Sequence, residues 1–244
     1  MINLLIIVFS LLIRIYLILN RNIFIDEVFY TEVAIKNSIK DIIFINHWIK
    51  DHGILYYLFL KPFLFFTKTI EVLRFSNIFL YIFLSIFIIY TVNKIFKKKY
   101  PATIFLFLFS FNHYFVYLNS WISPFNLVSF FAIISIFSLI YLILKNNLDK
   151  EFYFYYFLFI LSTILAFYSD YSFFYLLIFY FLMLIYILFK FIAKKGDITK
   201  SYLIINSYLI ILIFIIPGIF QFINNFERII YLFRNIRYET CLLY

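Results

Sequence analysis

The sequence predicts an all-α polytopic membrane protein, with about seven transmembrane helices and two interfacial helices in the first outer loop. Three observations carry this. The chain of 244 residues is 66% hydrophobic, with a mean hydropathy of +1.01, whereas a soluble domain is roughly half apolar. Its apolar stretches are continuous, as membrane helices require, and lack the residue-by-residue alternation of a membrane β-barrel. Its lysines gather between those stretches, so the net charge of +9 reads as loop charge at a membrane face and not as a nucleic-acid footprint. The single cysteine, Cys241, excludes an internal disulfide and any multi-cysteine metal centre.

Residues 2–20 form the first span. They are apolar except for Asn3, Ser10 and Arg14. With no basic start and no small-residue cleavage site, they read as a retained span rather than a signal peptide. Arg14 costs about 2.5–3.5 kcal/mol at mid-membrane on insertion scales, so it either snorkels toward Asn20 or faces the bundle. Residues 21–71 form the outer loop. Asp26–Phe44 reads as one amphipathic interfacial helix. Its apolar side holds Val28, Ile35, Ile39, Ile42 and Ile43, and its polar side Thr31, Glu32, Lys36, Asn37, Lys40 and Asp41. Glu32 ahead of Lys36 has the order that favours an ion pair one turn apart. Ile54–Phe66 is interrupted by Lys61-Pro62. At about 13 residues it falls short of the ~20 a span needs, so it reads as a second interfacial or re-entrant helix. Further spans follow over residues 72–92, 101–118, 122–144, 152–168, 171–189 and 202–220, making residues 1–244 a single membrane module.

Lysines set the topology. Lys94, Lys97, Lys98 and Lys99 follow the second span, Lys145 and Lys150 the fourth, and Lys190, Lys194, Lys195 and Lys200 the sixth. All three groups share a side, which the positive-inside rule makes cytoplasmic. Asp26, the Asn119–Pro124 turn and Asp170 then lie outside. Were Ile54–Phe66 to span, residues 21–53 would be cytoplasmic, with Arg21, Lys36, Lys40 and Lys50 to match. The short length and Lys61-Pro62 favour the first topology.

Within this layout, Arg14-Ile15-Tyr16 followed by Asp26-Glu27 and Tyr30 resembles the first span and first outer loop of the GT-C glycosyltransferases. These include the protein O-mannosyltransferases and the lipid A aminoarabinose transferases. Asp51-His52-Gly53-Ile54-Leu55-Tyr56-Tyr57 resembles the family's D-x-H-P-P-L-Y-Y entry to an interfacial helix. Leu73-Arg74-Phe75-Ser76 resembles its L-R-x-x-S opening of the second span, and Tyr168-Ser169-Asp170-Tyr171 its Y-x-H-Y turn. The resemblance covers Met1 to about Phe220. It departs at Gly53-Ile54, which replace the proline pair, at Asp170, which replaces a histidine, and at the acid-free Asn119–Pro124 turn. The C-terminal helices and outer domain of full-length relatives are absent.

The resemblance implies an enzyme of the cytoplasmic (inner) membrane with its active site on the extracytoplasmic side. It would transfer a sugar, with inversion, from a polyprenyl-phosphate-linked donor to a lipid, glycan or protein acceptor. Membrane lipids are expected partners and nucleic acid is not. An inverting displacement needs a base for the acceptor's proton and a cation for the phosphate leaving group. The family's first-loop "DE" supplies the catalytic acid, which puts Asp26 and Glu27 in that role, Asp26 as base or as ligand to a divalent metal ion. Arg14, Lys50, His52 and Arg74 are candidates to meet the phosphate. Tyr30, Tyr56 and Asp170 complete the substrate-binding set. Asp26 and His52 are the metal-ligand candidates, and His47, Asp51 and His52 are spaced for one helical face.

Each residue also has a purely structural reading. Asp26 suits a helix N-cap, Glu27 a solvated first turn, Arg74 a snorkelling helix end and Asp170 a helix stop. On the solvated reading, Glu27→Gln is a control for a charge that is merely nearby. Two other functional classes compete. A transporter or flippase subunit would place charges and broken helices near the midplane in paired halves, which the nearly charge-free later spans disfavour. A non-catalytic membrane subunit fits the missing C-terminal part.

Overall fold

A computed structural model describes residues 2–36, 38–44, 54–145, 147–170, 173–192, 199–217 and 219, and the regular elements among them are all helical. They are α1 (Ile2–Asn20), α2 (Ile25–Lys36), α3 (Ile39–Phe44), α4 (Ile54–Leu64), α5 (Ile70–Leu73), α6 (Ser76–Phe96), α7 (Lys99–Phe111), α8 (His113–Leu118), α9 (Pro124–Leu144), α10 (Lys150–Ser169) and α11 (Phe174–Ile192). A final helix, α12, runs over Thr199–Pro217. Five helices among the described residues are long and apolar enough to cross a membrane: α1, the run Ile70–Phe96 that joins α5 to α6, α9, α10 and α12. Ile54–Leu64, Tyr100–Phe111 in α7 and Leu176–Phe189 in α11 are apolar over shorter stretches. The chain is therefore an all-helical membrane protein.

The helix expected over residues 101–118 is divided. α7 ends at Phe111, and Asn112 turns the backbone to φ −60°, ψ 120°. The Asn112 side chain then caps α8 by accepting the N–H groups of Tyr114 and Phe115. The 13 residues of α7 rise about 20 Å, short of the ~30 Å hydrocarbon core. Hydropathy does not register a side-chain acceptor competing for backbone N–H groups.

The single helix expected over Asp26–Phe44 is also divided, into α2 and α3, and of its expected apolar side Ile42 is buried in the protein while Val28, Ile35 and Ile39 face outward. Glu27, Tyr30, Thr31 and Ala34 are buried, while Ile25, Val28, Phe29, Ile35 and Ile39 are exposed. A buried partner draws Glu27 inward, and residues three to four positions on follow it. Glu32 and Lys36 form the expected exposed ion pair at 2.7 Å.

Three apolar clusters hold the bundle. One joins α9 to α12 through Leu139, Tyr155, Phe159, Tyr180, Tyr208 and Ile211. A second packs the loop helices on α6 and α9 through Ala34, Tyr57, Leu60, Leu73, Leu80 and Leu127. A third ties α6 to α7 through Leu84, Ile88, Val92 and Ala102. Polar side chains inside the apolar bundle pair across helices: Ser135 with Thr163 at 2.7 Å and Tyr180 at 2.6 Å, and Thr91 with Tyr155 at 3.1 Å. Such bonds stand in for water that hydrocarbon cannot supply.

Lysines in the last turn of α6, just after α9 and at the start of α12 meet at one end. Lys94 pairs with Glu151 at 2.5 Å. Lys145 pairs with Asp149 at 3.0 Å and Glu151 at 3.5 Å. Lys200 donates to the Ile143 carbonyl at 2.7 Å. Asp149 caps α10, and the Phe152 N–H and then the Lys145 ammonium hold its carboxyl below its ordinary value. That contribution is therefore present above the ordinary carboxylate range and fades only as pH falls through the lowered value. We propose, on the positive-inside rule, that this end is the cytoplasmic one. Single cysteines at Lys97 and Asp26, probed with an impermeant thiol reagent in intact cells, are expected to label at 26 and not at 97. The reverse pattern overturns the orientation.

Candidate functional site

At the opposite end of the bundle, Glu27 and Arg74 form a closed pair. Both side chains are fully buried. Arg74 donates Nε–H to Glu27 Oε1 at 2.8 Å and Nη2–H to Oε2 at 2.5 Å, the two-pronged geometry a guanidinium and a carboxylate share. Its remaining donors go to carbonyls at the end of α1 and just beyond: Ile18 at 3.1 Å, Arg21 at 2.9 Å and Asn22 at 2.9 Å. All five N–H groups of Arg74 are used. Glu27 accepts two further bonds, from Ile122 N at 2.8 Å and Phe24 N at 3.0 Å. The last of these is half of a capping box, with Glu27 at the third helical position reaching back to the residue before the helix.

The sequence left Glu27 between a catalytic acid and a solvated first-turn acid, and Arg74 between a snorkelling helix end and a phosphate contact; the structure buries both side chains and pairs them. Arg74 lies where α5 turns into α6, so its charge points into the bundle. There it gathers α1, α2, α6 and the turn before α9.

Arg14 is the second internal cation. It faces the bundle with no exposed surface and does not snorkel. Nε donates to Asn119 Oδ1 at 2.9 Å, and Nη1 to the Ser110 carbonyl at 3.0 Å and to Ser10 Oγ. The guanidinium lies 3.9 Å from the centre of the Tyr81 ring, where the negative face of the ring offsets part of the charge. Nη2 has no hydrogen-bond partner among the described residues.

The acid-free Asn119–Pro124 turn links the two arginines. Asn119 accepts from Arg14 and donates to Asn126 Oδ1 at 2.8 Å. Asn126 donates to the carbonyls of Leu118 at 2.9 Å and Trp121 at 3.0 Å. Asn77 donates to the Trp121 carbonyl at 2.8 Å, and Ile122 donates to Glu27. The carboxylate missing from this turn is thus supplied from α2. Ser10, Asn77, Tyr81, Asn119 and Asn126 were not among the candidate site residues read from the sequence. Their signal was there, as amides and hydroxyls inside apolar runs. Asn119→Ala leaves Arg14 Nε and Asn126 Oδ1 without a partner, so about 1–3 kcal/mol of stability should be lost. Thermal unfolding in detergent measures this; an unchanged midpoint would show that the turn is not wired as described.

Asp26 stands apart from this closed frame. It occupies the second position of α2, exposed, and makes no hydrogen bond or ion pair with the described residues. It is not the N-cap, since the helix starts after Phe24, whose carbonyl accepts from Glu27 N at 3.1 Å. Tyr30 and Tyr56 are buried, and with Tyr57 they form an edge-to-face cluster with ring centres 5.7 to 6.4 Å apart, joining α2 to α4. Burial pushes the Tyr56 hydroxyl well up, and Tyr30, Tyr57 and Glu27 push the same way, so it stays protonated.

Asp170 is buried at the C-terminal end of α10, the same end of the bundle as the α1 terminus. Lys50, His52, His47 and Asp51 lie outside the described residues. Among the described residues, no group of three or more His, Cys, Asp or Glu gathers as a metal site. No family model matches this chain. No curated protein matches it. No solved structure matches it.

Proposed function

We propose that the chain is a GT-C-type membrane glycosyltransferase, or the N-terminal module of one. On this reading it transfers a sugar from a polyprenyl-phosphate-linked donor, with inversion, outside the cytoplasmic membrane. The seven-span layout belongs to the same proposal, with α2, α3 and α4 lying along the interface. The observation that carries it is the division of labour within Asp26-Glu27. Glu27 is consumed by Arg74 and fixes the start of α2. Asp26, one residue away, is held on that rigid turn with its carboxylate exposed. A base needs a free lone pair on a backbone that is held in place, and the Glu27 contacts hold the backbone beside the exposed Asp26 carboxylate.

In the step this supports, the acceptor hydroxyl gives its proton to Asp26 while its oxygen bonds the anomeric carbon. The bond to the carrier phosphate breaks, and the electron pair leaves with the phosphate. Arg74 spends every donor inside the protein, so its role is to position α2 rather than to meet the leaving group. Membranes containing the chain should consume a polyprenyl-phosphate-linked sugar faster than membranes lacking it. Equal rates, with the protein shown to be inserted, would favour the non-catalytic subunit.

A further inference from the structure

Between the C-terminal end of α1 and α8 lies an open groove of about 480 Å³. Its polar lining includes Arg21, His113 and Asn20, its apolar lining Leu17, Val116 and Tyr117, and no carboxylate lines it among the described residues. We propose that this groove binds the headgroup of an anionic glycerophospholipid, with Arg21 on the phosphate and one acyl chain along α1.

Among the described residues, three arginines stand toward this end of the bundle: Arg14, Arg21 and Arg74. Arg74 has no donor left, and the open Nη2 of Arg14 is sealed inside the bundle. Arg21 is different. Nη1 donates to the Tyr117 carbonyl at 3.2 Å and to Ser120 Oγ, which fixes the plane of the guanidinium. Nε and Nη2 have no partner among the described residues. The group sits against three aromatic rings, 4.0 Å from the centre of Tyr117, 4.6 Å from Phe24 and 5.5 Å from Trp121. Its fork is thus held open toward the groove, in the geometry that matches two phosphate oxygens.

Position and charge then select the ligand. The groove lies where α1 ends, at the depth of a membrane interface, where aromatic and cationic side chains sit beside lipid headgroups. Along α1, Phe9, Leu12 and Tyr16 form an exposed apolar stripe leading away from it, a surface for a hydrocarbon chain. With His113 exposed on the same wall and no acid among the described lining residues to receive a choline or ethanolamine ammonium, the lining favours a head of net negative charge. This assignment needs α1 to span a membrane and does not need the transferase reading.

The test is retention of lipid by the full chain, purified from mixed micelles holding equal phosphatidylglycerol and phosphatidylcholine and read by native mass spectrometry. Phosphatidylglycerol should be retained about tenfold over phosphatidylcholine, and inorganic phosphate at millimolar concentration should not displace it. Arg21→Gln should remove most of that preference. Lys97→Gln, at the lysine end, should leave it largely intact and so separates this groove from general attraction to lysines. Should Arg21→Gln fail to elute as a folded protein, His113→Gln, at an exposed position, decides by the same ratio. Equal retention of the two lipids, a preference unchanged in both groove variants, or displacement by inorganic phosphate would each overturn the assignment. Absence of sugar transfer would leave it standing, and absence of lipid retention would leave the Asp26 chemistry to its own assay.

Discussion

Asp26→Asn is expected to lower sugar transfer by about 10²–10⁴-fold, the range a general base contributes, while leaving the protein inserted and folded. The structure makes this a clean substitution. Asp26 is exposed and makes no hydrogen bond or ion pair with the described residues, so removing its charge orphans nothing. The first turn of α2 is secured by Glu27 and the Phe24 backbone, so the helix start does not depend on residue 26. The loss of one acid beside the helix N-terminus amounts to about 0.3–1 kcal/mol, too little to unfold a bundle. Initial rates on a lipid-linked sugar, with both forms at equal levels in membranes, measure the effect. Near-full activity in Asp26→Asn would end the catalytic reading of this turn.

Breaking the Glu27–Arg74 pair from one side should be the most damaging single change to stability. Arg74→Met leaves a buried carboxylate whose remaining partners are two backbone N–H groups. Glu27→Gln leaves a fully buried guanidinium facing a neutral amide. Removing one member of a buried pair typically costs about 3–5 kcal/mol, because the surviving charge stays desolvated. The double variant Glu27→Gln/Arg74→Met removes both charges and should recover much of the loss. Unfolding in detergent across the four-member cycle gives the coupling. Single variants that each lose less than about 1 kcal/mol would place the pair in the weak, solvated class. Glu27→Gln is therefore no neutral control for Asp26, since its effect on activity would arrive through the position of α2.

Both adjacent acids were candidates for the catalytic role in the sequence, and in the structure one is exposed and the other buried. The difference lies in which way each points. Positions 26 and 27 are about 100° apart around a helix, given 3.6 residues per turn. One therefore faces out when the other meets a partner inside. That partner, Arg74, is remote in the chain, and no local pattern could reveal it. The same contact turns Glu27, Tyr30 and Thr31 inward and leaves Val28 and Ile35 outward, where an apolar side chain of a membrane protein has lipid to meet.

Composition alone determined that the solvent is lipid and the elements helical, because hydrocarbon offers no partner for an unpaired backbone group. Hydropathy located α1, α6, α9, α10 and α12, and the lysine spacing placed their loops at one end, where Lys94, Lys145 and Lys200 meet. Only the tertiary structure decided what the internal charges do. Arg14, Arg21 and Arg74 look alike in sequence, yet one is walled in by Ser10, Ser110 and Asn119, one closes on Glu27, and one opens into a groove. A guanidinium's role depends on which of its five donors are already taken, and distant residues take them.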